Sequence, residues 1–207
     1  MPRLFTYIMT DDSGFAPHVD KHARYLTLAT CKPKIRKSAQ KGDWIAGFGG
    51  KSLYRRCKNR YEDLGPRLIY AAQITHEPID YDSYHGDRRF RGRKDNIYYR
   101  NSKGCWRQDV NLFHDKSHIK HDTSVSRVLI SIRFLYFGSN APRMEEIAPE
   151  YSMLLKKGPG HRKFYLDKTV SASNFIDELE RKYRKHMNKY SEPTCPHDIA
   201  KIHDRCR

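Results

Sequence analysis

Apolar positions along the chain fall mostly into short β-prone runs, each closed by a turn cluster. The first, residues 4–9 (LFTYIM), ends at Thr10-Asp11-Asp12-Ser13-Gly14. Aspartate side chains can bond nearby backbone there, and Gly14 permits a positive φ, so the pattern predicts a strand entering a structured loop. Residues 25–29 (YLTLA) alternate and predict a second strand. Pro33 suits a first helical turn and Ile35 and Ala39 lie four apart, which predicts a short helix over 33–40, stopped by Lys41-Gly42-Asp43. A strand is expected over 44–48, its glycines permitting close approach or a bulge. A basic loop then leads to the clearest central strand, residues 67–75 (RLIYAAQIT).

Residues 77–104 are polar, aromatic and charged, and read as loop with a short helix over 79–84 and a strand over 96–100. After a histidine-rich loop, residues 128–137 (VLISIRFLYF) predict one strand, ended by Gly138-Ser139-Asn140-Ala141-Pro142. Ser173 suits the cap of a helix through Lys189, with Phe175, Ile176, Leu179, Tyr183 and Met187 along one side and Pro193 as the stop. The expected fold class is α+β. With no internal repeat or low-complexity linker, one domain is expected over residues 1–190, followed by a basic tail over 191–207.

Composition supports a folded chain with a very polar exterior: 38% of the 207 residues are hydrophobic and mean hydropathy is -0.87. That length can bury a core without staples. Charge narrows the partners. Forty Lys+Arg against 24 Asp+Glu leave a formal +16, and net charge speaks of partners and association rates rather than fold. Nucleic acid is the natural polyanion. No amphipathic basic helix or lipidation motif points to a membrane surface, and no apolar run approaches the ~18 residues of a span. Cys31, Cys57, Cys105, Cys195 and Cys206 are odd in number and scattered, which argues against a disulfide framework. With no stretch like a signal peptide, the expected setting is reduced and cytoplasmic.

Two resemblances follow from particular segments. Residues 34–75, a short basic helix, a Gly-Asp-plus-hydrophobic strand and a second strand, resemble the PUA-like superfamily that includes the ASCH, EVE and YTH domains. That resemblance implies a small curved β-barrel with flanking short helices and a C-terminal helix. A closer one rests on TDDSGFAP (10–17), TLATCKPKIRKSAQKGDWIAGFG (27–49), DNIYYR (95–100), VLIS (128–131), YFG and AP (136–138, 141–142) and GPGHR (158–162). These resemble the second type of nucleotide modification associated domain, a family inferred to belong to systems that modify or handle altered DNA bases. His18 stands where that pattern leads one to expect Asn, and the basic insertion around 55–60 is longer than usual.

The densest chemical signal is basic residues interleaved with aromatics. Lys32, Lys34, Arg36, Lys37 and Lys41 precede Trp44; Lys51, Arg55, Arg56, Lys58 and Arg60 follow it with Tyr54 and Tyr61. Arg88, Arg89, Arg91, Arg93 and Lys94 lie near Phe90 and Tyr98-Tyr99. Such cations neutralise phosphates while aromatics stack on exposed bases, although a charge run also suits a solvated face. The PUA-like resemblance implies a base pocket, for which Phe15, Trp44, Phe48 and Trp106 are the aromatic candidates and Asp11, Asp12 and Thr30 the polar readers. Trp44 and Phe48 share a strand face, and for each alone a place in the core is the better reading.

Acid–base candidates are Asp11, Asp12, His114 and His161, the last with Arg162 in a glycine turn that could face a phosphate. His114, His118 and His121 crowd Asp115 and Asp122 in HDKSHIKHD, but the stretch lacks the glutamate of HExxH and no metal is assigned. Cys195, His197, His203 and Cys206 match no standard zinc spacing. Cys31 beside Lys32 is open to two readings, an activated thiol or a small buried one. Walker, Rossmann and Gly-x-Ser-x-Gly patterns are missing, and no cofactor is assigned. Three functions stay in play: recognition of a modified or flipped base in a DNA-modification or anti-phage system, with DNA preferred over RNA; an enzyme acting on bases or nucleotides, including a nuclease; and a basic scaffold for protein partners of such a system.

Overall fold

A computed structural model describes residues 1–57, 65–147, 149–155, 158 and 160–196. Lys58, Arg60, Tyr61, His197, His203 and Cys206 lie outside the described residues. The strands are β1 (Arg3–Met9), β2 (His18–Val19), β3 (Leu26–Leu28), β4 (Trp44–Gly49), β5 (Arg67–Gln73), β6 (Tyr98–Arg100), β7 (Trp106–Gln108), β8 (Leu129–Ser131), β9 (Arg133–Tyr136) and β10 (His161–Tyr165). The α-helices are α1 (Pro33–Ser38), α2 (Lys51–Arg56), α3 (Tyr81–Gly86), α4 (His118–Asp122), α5 (Met144–Ile147) and α6 (Val170–Lys182).

β1 and β4 run parallel at the heart of a five-stranded sheet of order β10-β1-β4-β5-β9, whose other pairings are antiparallel. The parallel pair needs a long crossover, and that crossover carries β2, β3 and α1. β4 is buried at every position, as a strand covered on both faces must be. Its register against β5 shifts between Gly47 and Phe48, the expected bulge. A Cβ on Gly47 would run into the Tyr70 ring and the Met9 sulfur, so the close approach holds as well. β2, β3 and β8 form a second sheet and β6 and β7 a third.

The α+β class is as expected, but among the described residues no sheet closes into a barrel. Residues 128–137 show why. Instead of one strand they form two: β8 pairs with β3, and β9 pairs with β5. Ile132 between them is 47% exposed, its N–H held by the Thr75 hydroxyl. One apolar run thus hands the chain from one sheet to another. It also divides the interior into a main core around the large sheet and a second cluster built on Phe15, Tyr81, Tyr84, Phe90, Tyr98, Val128 and Ile130.

Other expectations are corrected locally. The loop after β4 begins with helix α2, and the histidine-rich loop contains α4. The last long helix starts after Thr169 rather than at Ser173 and ends at Lys182. Its buried face, Ala172, Phe175, Ile176 and Leu179, is the one its spacing indicates. Residues 191–196, expected as the start of a tail, fold back over the loop after β1. Thr194 and Cys195 donate backbone N–H groups to the Asp12 carboxylate and carbonyl at 2.8 and 2.9 Å. Cys195 and Cys57 form a disulfide across 138 residues of sequence, their Cα atoms 5.5 Å apart. This corrects the reading of unpaired thiols, which sequence spacing could not test because pairing depends on Cα proximity.

Arg36 is the largest departure. Grouped by sequence with a basic surface, it is fully buried. Its guanidinium donates to the carbonyls of Cys31 (2.7 Å), Val125 (2.6 Å), Arg127 (2.8 Å) and Asp122 (2.6 Å), and lies 5.5 Å from the Tyr81 ring centroid. Arg127 reciprocates, donating to the carbonyls of Arg36 and Ala39. Removing one side of such a network leaves buried acceptors unpaired. Arg36→Met should therefore cost on the order of 3 kcal/mol in urea unfolding, whereas Lys37→Met, at an exposed position, should stay within about 0.5 kcal/mol.

Candidate functional site

Three segments from distant parts of the chain enclose a cavity of about 440 Å³, within the usual range for small-ligand sites. The loop after β1 contributes Thr10, Asp11, Ser13 and Phe15; the connection from β3 to α1 contributes Cys31 and Lys32; and the segment leading into α4 contributes Leu112, Phe113, His114, Asp115, Ser117 and His118. Tyr7, Met9 and Ala16 complete the lining, with Arg56 at the end of α2. Phe15 and Phe113 stack with ring centroids 4.5 Å apart, and His114 meets Phe15 edge-on at 4.8 Å. The His118 ring stacks on His114 at 4.2 Å. Lys32 holds its ammonium 4.6 Å from the Tyr7 ring centroid.

Backbone conformation marks the β3–α1 connection. Cys31 and Lys32 are consecutive non-glycine residues with φ of 57° and 43°. Each costs of order 1–3 kcal/mol and persists only where surroundings over-determine it. Those surroundings are visible: the Cys31 carbonyl is held by Arg36, and its N–H donates to Asp122 Oδ1 at 2.9 Å.

Asp122 closes the arrangement. His114 Nδ1 lies 2.9 Å from Asp122 Oδ2, and the other ring nitrogen, Nε2, lies 3.6 Å from Cys31 Sγ. The Tyr98 hydroxyl donates to Asp122 Oδ2 at 3.0 Å. Burial works against the Asp122 carboxylate, but the hydrogen bond and charge of His114, with help from Tyr98 and Arg36, hold its pKa below the ordinary value. Burial, reinforced by the Asp122 charge, pushes the Cys31 thiol up to about 12, against Lys32, Thr30 and Arg36. The thiol is therefore protonated near neutrality. Burial also raises Tyr98, with Asp122 adding to the effect.

Of the residues singled out by sequence, Asp11, Phe15, Cys31, Lys32, Arg56, His114, Asp115 and His118 meet at this cavity. Lys34, Lys37 and Arg55 are exposed on α1 and α2. Arg91 lines a second cavity of about 900 Å³ with Arg93 and Lys94, which shares Ser13, Leu112 and Phe113 with the first. Arg89 is exposed and paired with Asp87 at 2.6 Å, and Arg88 is exposed. Arg93 is buried in ion pairs with Asp20 and Asp95.

Four candidates serve the fold instead. Trp44 and Phe48 are core residues, 4% and 0% exposed, and Asp12 is buried between the Tyr136 hydroxyl and the Thr194 N–H. Burial raises the Asp12 carboxyl despite those bonds. Arg36 is the fourth. Thr30 is fully buried beside Cys31. Trp106 packs against Tyr81 under Arg100, and His161 sits on edge strand β10 near Phe5; neither lines the cavity. Among the described residues no group of three or more His, Cys, Asp and Glu is placed to hold a metal ion, and no helix is long and apolar enough to cross a membrane.

The sequence profile of the family described as nucleotide modification associated domain 2 matches residues 1–199. The chain belongs to that family. The family's description associates it with nucleotide modification. No curated protein and no solved structure matches the chain. Of the segments that resemble the family, TDDSGFAP supplies Asp11, Ser13 and Phe15 to the cavity, TLATCKPK supplies Cys31 and Lys32, and DNIYYR supplies Tyr98 behind it. GPGHR leads into β10 instead. Sequence reasoning named Asp122 in the crowded HDKSHIKHD and Tyr98 beside a basic group without giving either this place, and it did not single out Phe113.

The Asp122 carboxyl sits below its ordinary value only in the folded protein, so its contribution is fully present above the unfolded value of 3.8 and disappears as pH falls through the folded one. Wild type should exceed Asp122→Asn by about 2 kcal/mol near neutrality, and the gap should narrow below pH 3.8. Urea unfolding of both proteins across that range measures it.

Proposed function

We propose that this domain holds a single base or nucleotide, extruded from DNA, in the cavity between the loop after β1, the β3–α1 connection and the segment before α4. It does so as the base-handling component of a DNA-modification system. The observation that carries this reading is the meeting in one cavity of an aromatic wall, Phe15 and Phe113, with two cations, Lys32 and Arg56, and one half-buried carboxylate, Asp11. Aromatic faces stack on a base, worth about 1–3 kcal/mol. Cations take its phosphate. A carboxylate accepts from a base amino group, and Asp11 is already turned by a hydrogen bond from the Ser13 hydroxyl at 2.8 Å.

The formal +16 charge supports a polyanionic partner, and exposed Lys34, Lys37, Arg55 and Arg88 extend the basic surface beyond the cavity. Flipping a base costs a few kcal/mol, so single-stranded or mismatched sites should bind best. The enzyme reading is favoured by a separate observation, the alignment of Cys31, His114 and Asp122, and is taken up below.

Fluorescence anisotropy with matched single strands and duplexes, unmodified or carrying modified cytosine or thymine, tests the proposal over a salt series. Phe113→Ala should weaken base-dependent binding by about tenfold. Lys32→Gln with Arg56→Gln should weaken every oligonucleotide and flatten the salt dependence by roughly two phosphate contacts. Binding that ignores all three substitutions would place the nucleic acid elsewhere and end this reading.

A further inference from the structure

We infer that Cys31 is a nucleophile that adds to C6 of a pyrimidine in the cavity, with His114 as its base and Asp122 as the group that positions His114. The inference rests on the cavity's being a base site and goes on to name the substrate class and the chemistry.

Geometry carries it first. Cys31 Sγ, His114 and Asp122 stand in the order nucleophile, base, orienter, at 3.6 Å and 2.9 Å, and Cys31 and His114 both line the cavity. With Nδ1–H directed at Asp122, Nε2 presents its lone pair to the thiol. Asp122 fixes both ends, since its other oxygen accepts the Cys31 N–H. Cys31 and Lys32, adjacent residues in the left-handed region, both line the cavity. The other free cysteine among the described residues, Cys105, is exposed on the β6–β7 turn, and Cys57 and Cys195 are paired. None of those three has this arrangement.

The same geometry selects the electrophile. Acyl transfer commonly uses the nucleophile's own N–H to stabilise an oxyanion, and here that N–H is engaged by Asp122. A pyrimidine needs no such donor at C6, because its developing charge spreads onto N3 and the C4 substituent. Among the bases, pyrimidines present a conjugated C5=C6 bond open to thiol addition.

The step balances without an external reagent. The thiol proton passes to His114 Nε2 as the S–C6 bond forms, and the C5=C6 π pair moves to C5. A proton from His114 or water then binds C5, so that H and S have added across the double bond. Loss of either C5 hydrogen and departure of sulfur restore the base and the thiol. In deuterated water each such cycle can leave deuterium at C5.

The experiment incubates the full chain with short oligodeoxycytidine and oligodeoxyuridine in deuterated buffer. Mass spectrometry of the released nucleosides reads C5 deuterium, and anisotropy on the same oligonucleotides reads binding. Oligothymidine, methylated at C5, is the control that gains none. Exchange should appear with wild type and fall by about 100-fold in Cys31→Ser and in His114→Ala. Asp122→Asn should lower the rate at saturating oligonucleotide without changing Kd. His114→Ala keeps the test decisive if the serine variant does not fold. Binding without exchange, or exchange that survives Cys31→Ser, overturns the inference and leaves the cavity as a base site. Absence of binding removes both.

Discussion

A buried guanidinium organises this protein. Arg36 sits where solvent does not reach, and a charge so placed is tolerable only if hydrogen-bonded on nearly every side. It gathers four main-chain carbonyls, one from the β3–α1 connection and three from the stretch that ends α4 and leads into β8. Those two pieces of chain are nearly ninety residues apart. Joining them brings Cys31 against His114 and Asp122. The cavity thus depends on a side chain that does not itself line it.

Asp122 extends that constraint into chemistry. One carboxylate oxygen fixes the Cys31 backbone and the other meets His114 and Tyr98, so a single side chain sets the position of thiol and imidazole together. The surroundings push the two acids in opposite directions, the carboxylate kept ionised and the thiol kept protonated. Around them, Phe15 and Phe113 supply a flat apolar wall, and Lys32 and Arg56 supply positive charge.

Much of the fold could be read from the sequence, because strands β1, β4 and β5 and the buried face of α6 follow from residue type and period alone. The split of residues 128–137 could not. Both halves are apolar, and only the pairing of β8 with β3 and of β9 with β5 tells them apart. Arg36 looked like its neighbours Lys34 and Lys37, since a run of cations carries no mark of the carbonyls that one of them will meet. Asp12 resembled a catalytic acid for a similar reason: its partners, Tyr136 and Thr194, come from 124 and 182 residues away. The site itself was half legible. Residues chosen for charge or aromaticity, Asp11, Phe15, Lys32, Arg56 and His114 among them, do meet, but the place of Asp122 and the alignment of Cys31 with His114 depend on contacts 83 and 91 residues apart.

The central claim is that the cavity beside Cys31 is where a base sits. Histidine resonances offer a direct reading, because His114 and His118 line that cavity while His161 and His186 lie elsewhere. Long-range nitrogen–proton spectra of the full chain, titrated with deoxycytidine monophosphate and then a short single strand, would follow all four side chains. The account predicts saturable shifts at His114 and His118, with His161 and His186 unmoved. Saturable shifts confined to His161 or His186, or binding that leaves His114 and His118 unchanged, would contradict it.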